Sequence, residues 1–340
     1  MEVLRTIAAT LTEKGEGGLL AGRLKQAATE RIFGFEILPA PFVVAHLQLG
    51  LFLQQHGTAF DEKAHERAAV YLTNALTGWQ PPSGPKQRLL FPEMEEERDR
   101  AEQVKQQVLL LVILGNPPYN GFAGLPAEEE AGLVEPYRTT KAAPRPQGQG
   151  LNDLYVRFFR VAERCVTERH DRHGIVCYIS NYSWLDGRSF PLMRQRYLSE
   201  FDAVWIDCLN GDKYRTGKLT PEGKPDPSVF STEHNREGIQ VGTAIALLVR
   251  TMKHKRSAAV RFRDLWGQTK RADLLEDLTR FSPKLYTKLA PTAPLGLPFR
   301  PLRTEQDYLA WPLLTEICTR GSLGSKRVGM RLWLTSTGLG

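Results

Sequence analysis

A chain of 340 residues has room for one large α/β domain or two of ordinary size. Hydrophobic residues at 41% and charged residues at 24% exclude a disordered, collagen-like or coiled-coil polypeptide. The longest wholly apolar run, residues 108–114, is far short of the roughly 20 needed to span a bilayer. No signal-peptide core opens the chain, so a soluble, cytoplasmic protein with no membrane partner is expected.

In chain order, β-type runs are predicted at 32–38, 70–73, 109–114, 174–180, 203–209 and 243–250, with helices at 41–55, 92–107, 154–169 and 189–201. That alternation is the signature of a mainly parallel sheet covered by helices. The helix at 92–107 has the strongest pattern: acids crowd its first turns and basic and amide residues follow, which complements the macrodipole. The run LLLVIL at 109–114 has no polar alternation and predicts a strand buried on both faces in the middle of the sheet. GEGG at 15–18 follows a helical stretch and reads as a turn, and no internal repeat is present.

Two segments are too long for ordinary connections. One covers 116–150 and carries Arg138, Lys141 and Arg145; the other covers 211–238 and carries Lys213, Tyr214, Arg215, Lys218 and Lys224. Basic loops after strands are either lids and substrate grips or solvated insertions. Basic residues outnumber acidic ones by 45 to 38, a net charge of +7, which favours a polyanionic partner without establishing one. Cys165, Cys177, Cys208 and Cys318 form no C-x-x-C pair, which argues against a zinc ribbon or disulfide framework and leaves them as small buried hydrophobes. From Ala290 the stretch APTAPLGLPFRPL reads as a linker leaving the sheet domain.

Asn116, Pro117, Pro118 and Tyr119 directly follow the apolar run. Open α/β sheets bind ligands outside the carboxyl ends of their strands, so reactive groups belong here. Prolines pin the backbone and remove donors, leaving carbonyls free to accept. Asn116 adds a side-chain acceptor and Tyr119 a flat ring, which together suit a planar amine. Glu36, at the carboxyl end of another predicted strand, is either ordinary surface charge or an acceptor for ribose hydroxyls.

GNPPY at 115–119 resembles the catalytic motif of S-adenosylmethionine-dependent adenine-N6 DNA methyltransferases. IFGFEILPAPFVVAHLQL at 32–49, VYLTNALTGWQPP at 70–82, NDLYVRFFRVAE at 152–163, GIVCYISNYSWLDG at 174–187 and GIQVGTAIALLVR at 238–250 resemble the family's other core segments in their usual order. The resemblance covers about residues 2–315 and is nearest to the methylase portion of fused bacterial restriction-modification enzymes. It implies a Rossmann-like α/β sheet with helices on both faces, S-adenosylmethionine as cofactor, and Asn116, Pro117, Pro118 and Tyr119 as catalytic residues. It implies no metal and no covalent intermediate. The implied partner is double-stranded DNA with a flipped adenine, and fused or associated restriction subunits are expected.

Glu36 then takes the cofactor's ribose, and Asn74 either lines the cofactor's adenine or the target base or is a simple turn residue. Asn152 and Asp153 are caps or site residues, Tyr182 and Trp184 are core or pocket wall, and Phe230 is a weaker candidate to flank the base. Competing readings are an amino-methyltransferase acting on protein glutamine or RNA, and a DNA-binding module without turnover.

The family's glycine-rich loop, D-x-x-x-G-x-G, has no counterpart in this sequence, nor does the strand that precedes it. Residues 1–5 look like the helix that follows that loop, so the chain is expected to start just after it. Residues 325–337 are basic and patternless, and one permitted back-translation, read one nucleotide earlier, gives VKTGRDEALVDID, which looks like the family's entry into target recognition. The expected organisation is a catalytic core at 1–289, a linker at 290–317 and a frameshifted tail at 318–340.

Overall fold

The computed structural model describes residues 1–81, 84, 86, 91–119, 128–139, 146–169, 173–257, 259–277 and 282–302. Helices α1 (Glu2–Glu13) and α2 (Leu20–Gln26) meet at a turn where Gly15 takes a left-handed φ of 73°, which glycine adopts without a Cβ clash. Strand β1 (Gly34–Glu36) leads into α3 (Pro39–Gln55), which starts with proline where a missing N–H is harmless. Strand β2 (Val70–Leu72) lies parallel to β1, and α4 (Pro92–Gln107) then leads to β3 (Val112–Gly115).

The turn α5 (Glu128–Ala131) precedes α6 (Leu154–Thr167), β4 (Gly174–Asn181), α7 (Pro191–Glu200) and β5 (Ala203–Asn210). After the one-turn helix α8 (Lys213–Thr216) come β6 (Thr243–Arg250), β7 (Val260–Asp264), α9 (Lys270–Asp277) and β8 (Thr287–Leu289). The fold is α/β and Rossmann-like: β1 and β2 form a two-stranded sheet, and six strands in the order β3-β4-β6-β5-β7-β8 form a second.

The expected mainly parallel sheet is mixed. Strand β6 has the predicted bounds but runs antiparallel to both β4 and β5. The 211–242 connection carries no crossover helix, so it returns the chain to the edge it left. Strands β3, β4, β5 and β7 share one direction, and their carboxyl ends share one edge. The LLLVIL run is also corrected: β3 pairs only with β4 at the margin of the six-stranded sheet, with Val112 55% and Leu114 59% exposed. Apolar content alone cannot tell a central strand from an uncovered edge. Strands β7 and β8 and helix α9 were not predicted, although V-R-F at 260–262 alternates as it should, with Val260 and Phe262 buried and Arg261 exposed.

The main core lies between one face of the larger sheet and α6 and α7, and it is largely aromatic. Phe159 packs on Tyr178 and Trp184 with ring centroids 5.1 and 5.4 Å away, and Trp184 meets Tyr197 at 5.7 Å. Such pairs add about 0.5–1.5 kcal/mol beyond their buried area. Cys208 is buried in this core and Cys165 in a smaller cluster with Leu76, Leu133 and Val161, and burial pushes each thiol up to about 12; Cys177 is half-buried, and Cys318 lies outside the described residues.

The segment expected to lead away at 290 instead packs on the sheet domain as far as Arg300. Phe299 is fully buried and its amide donates to the Leu185 carbonyl at 2.7 Å. Buried Arg194 makes four hydrogen bonds: two to the Gly296 carbonyl and one each to the carbonyls of Trp184 and Gly187. Residues 303–340, with the expected tail, lie outside the described residues. Replacing Arg194 by Met takes the side-chain donor from the buried Gly296 and Trp184 carbonyls, while the Gly187 carbonyl keeps the Phe190 amide, and is predicted to lower stability by about 3 kcal/mol. Hydrogen exchange checks the mechanism, because the Phe299 amide must lose protection before the β4 amides do.

Candidate functional site

Gly115 ends β3 against the Tyr178 ring, where an added Cβ would lie 2.8 Å from a ring carbon, so only glycine lets the backbone pass this close. The next residues emerge at the carboxyl edge: Asn116 and Pro118 are exposed, Pro117 is buried and Tyr119 is half-buried. The Tyr119 hydroxyl donates to Asn116 Oδ1 at 2.7 Å and lies 3.4 Å from the Ile179 carbonyl of β4. Burial drives the Tyr119 pKa well above its ordinary value, so the hydroxyl remains a donor. A carboxamide oxygen has two lone pairs, and Tyr119 occupies one of them. Among the described residues no donor reaches the Pro117 carbonyl. The tetrapeptide therefore offers two acceptors and one ring.

Glu36 sits at the carboxyl end of β1, where its Oε1 accepts from Leu38 N at 2.8 Å and its carbonyl accepts from Thr73 N at 2.7 Å. The second bond puts Glu36 beside the turn that carries Asn74. Ile37 and Leu38 follow with 64% and 58% exposure, an apolar step beside a carboxylate. The Asn74 carboxamide is engaged within the chain: Oδ1 accepts from Leu76 N at 2.9 Å, and Nδ2 donates to Glu130 at 3.1 Å. Glu130 also pairs with buried Arg157 at 2.9 Å. Asn116 and Tyr119 are thus brought into direct contact and Glu36 lies next to the Asn74 turn, while no direct bond joins the two groups.

Sequence reasoning missed the residues that hold this turn. Lys105 is completely buried and donates to Thr73 Oγ1, the Asn74 carbonyl and the Thr77 carbonyl at 3.1, 2.7 and 2.9 Å. Desolvation pushes its pKa down to about 8. In so charged a helix it resembles any solvated lysine; the one available signal was its place four residues after buried Ala101. From α5, Glu129 accepts from Gly78 N and Trp79 N at 2.8 and 3.1 Å.

Tyr182 and Trp184 are core residues, 1% and 0% exposed. Phe230 is half-buried in the loop after β5. Asn152 accepts from Arg138 at 2.9 Å, while Lys141 and Arg145 lie outside the described residues. Among the described residues no group of three His, Cys, Asp or Glu side chains could hold a metal, and no helix is long and apolar enough to cross a membrane.

No family model and no curated protein matches this chain. Solved structures do. The ATP-dependent Type ISP restriction-modification enzyme LlaBIII bound to DNA matches 89% of the chain at 17% identity with a TM-score of 0.66. A nuclease-deletion mutant of the Type ISP enzyme LlaGI with a DNA substrate mimic matches 91% at 17% identity and 0.66, and the DrdV–DNA complex 80% at 21% identity and 0.58. The fold is one that restriction-modification enzymes use. The chain spans 20%, 24% and 25% of LlaBIII, LlaGI and DrdV respectively.

Within this shared fold, Asp153 stands at the N-cap of α6 without a side-chain capping bond, and burial raises its carboxyl pKa to about 6. A carboxyl that is easier to protonate folded than unfolded weakens the fold at neutral pH, and the penalty fades as pH falls through 6 to below the ordinary 3.8. Asp153→Asn is therefore expected to raise stability at pH 7 by about 1 kcal/mol, discounted for partial exposure. The gain should vanish near pH 4 in urea unfolding; an equal gain at both pH values contradicts the desolvation account.

Proposed function

We propose that this chain is the catalytic core of a site-specific adenine-N6 DNA methyltransferase of restriction-modification type. The observation that carries the reading is the Asn116–Tyr119 geometry: a carboxamide oxygen and a proline carbonyl beside an aromatic ring, exposed where a strand ends. The fold shared with LlaBIII and DrdV, both in DNA complexes, supports a DNA substrate.

An aromatic amine is a poor nucleophile because its lone pair is delocalised into the ring. Asn116 Oδ1, through its second lone pair, and the Pro117 carbonyl accept the two N6 hydrogens and favour a pyramidal nitrogen. Both oxygens stabilise the positive charge that develops on nitrogen as it attacks, and such preorganised dipoles are a large source of rate. Adenine inside a duplex cannot reach these groups and must be extruded. The Tyr119 ring then stacks on it, for roughly 1–3 kcal/mol. The hydroxyl bond to Asn116 keeps the carboxamide turned oxygen-first, since the amide NH2 could not accept it.

Glu36 fits a cofactor that carries ribose: among the described residues only its Oε1 has a donor, and the exposed Ile37 and Leu38 beside it suit a purine face. S-adenosylmethionine, when bound there, supplies an electrophilic methyl group. Glu36 and the turn held by Lys105 orient it, and Asn116 and Pro117 hold the acceptor.

The test is transfer of labelled methyl from S-adenosylmethionine to duplex DNA, with the product located at adenine N6. Asn116→Ala is expected to lower the rate at least about 100-fold while DNA affinity stays within about twofold of the parent. Methylation by the variant at the parent rate overturns the assignment.

A further inference from the structure

The loop after β5 is an ordered platform braced by two buried acids, Asp212 and Asp226, while Glu222, Glu233 and Glu237 are exposed along with Lys213 and Arg215. Asp212 is 4% exposed, and its oxygens accept from the amides of Tyr214, Arg215 and Gly242 at 2.7, 2.7 and 2.9 Å. Those bonds hold its carboxyl below the ordinary carboxylate range against the opposing effect of burial. Asp226 is fully buried and accepts from the Gly211 and Gly267 amides at 2.7 and 2.8 Å and from Lys270 at 2.7 Å. Asn210, Gly211, Gly217 and Lys218 all take left-handed φ values, 50°, 73°, 62° and 57°. For asparagine and lysine such conformations persist only where the surroundings impose them.

On this frame stand Lys213, Tyr214 and Arg215, with side chains 47% and 43% exposed for the two cations and Tyr214 73% exposed. Arg215 lies 5.2 Å from the Tyr182 ring centroid and bonds Asp186 twice at 3.1 Å, both times through Nη1. Among the described residues its Nε and Nη2 donate to nothing. Lys213 Nζ lies 3.6 Å from Glu237 Oε1, its one ion pair among the described residues, and the Tyr214 hydroxyl bonds Gln240 at 2.7 Å. The turn follows β5, whose carboxyl end lies on the same sheet edge as that of β3 and hence Asn116.

We infer that Lys213 and Arg215 grip backbone phosphates of the nucleic acid bound at this edge. The inference rests on the DNA reading above and adds the surface that holds the strand. A guanidinium already held beside a ring by Asp186 and an ammonium on a braced turn lose little freedom when they meet a phosphate, and burial of Asp212 and Asp226 takes two negative charges off the face that carries them. Tyr214, between them, offers the sugar or a base an exposed ring.

Salt dependence of duplex binding, measured by fluorescence anisotropy on the full chain, reads this directly. Each phosphate contact contributes about 0.9 to the slope of log K against log salt. Lys213→Ala with Arg215→Ala is therefore expected to reduce the slope by about 1.8. The exchange Lys213→Arg with Arg215→Lys should keep it. Lys253 and Lys255 follow β6 at the opposite edge and serve as the control, so their alanine variant should bind with the parent slope. An unchanged slope in the folded Lys213/Arg215 double variant overturns the inference alone, as does an equal loss in the control. A parent chain that binds no duplex overturns the DNA reading with it, and a partner protein that loses affinity for the double variant while DNA does not reassigns the platform.

Discussion

Strand β6 runs opposite to its neighbours and hydrogen-bonds to β4 on one side and β5 on the other. The rest of the arrangement depends on that double pairing. A strand inserted antiparallel between two parallel ones leaves both of their carboxyl ends on one edge, with α7 as the crossover that carries the chain from β4 to β5. It also requires the chain between β5 and β6 to begin and end at that edge. The long connection that results is where the basic turn is built, and β4 is what carries β3 and the Asn116 tetrapeptide alongside it.

A second constraint ties the two sheets together. The turn after β2 is gripped from one direction by Lys105 and from another by Glu129 and Glu130, which come from the segment downstream of Tyr119. Glu130 is in turn fixed by Arg157 on α6, the helix that packs on β4. A buried ammonium with three oxygen partners and a buried carboxylate with a guanidinium are tolerable only while every partner stays in place. The Asn74 turn and the neighbouring Glu36 therefore cannot shift independently of the larger sheet.

Much of this was legible in the sequence where periodicity and punctuation agreed. The helix at 92–107 was placed to the residue, since proline starts it and charge order marks its direction. Strand 243–250 was bounded correctly, yet its direction was not readable, because direction depends on how the preceding loop travels and not on the strand's composition. LLLVIL misled for a related reason: apolar content reports what a strand could bury, while pairing decides what it does bury. Asn116, Pro117 and Tyr119 could be singled out because prolines and an amide at a strand end have a local chemical meaning. Lys105, Glu130 and Asp226 could not, because each acquires its role from a partner at least 27 positions away. The charged residues of loop 211–238 were visible, but that Asp212 and Asp226 turn inward while Glu222, Glu233 and Glu237 stay exposed was not, since burial is a property of the folded turn.

The Tyr119–Asn116 bond also bears on how the site responds to its surroundings. The groups that would face a target amine are a carboxamide, a peptide carbonyl and a phenol that burial keeps protonated. None of them changes charge across the neutral range. The tetrapeptide is accordingly indifferent to acidity: its pattern of donors and acceptors is the same in a mildly acidic as in a mildly alkaline medium. Any pH response of a reaction carried out there has to arise in the ligands or in distant groups such as Asp153.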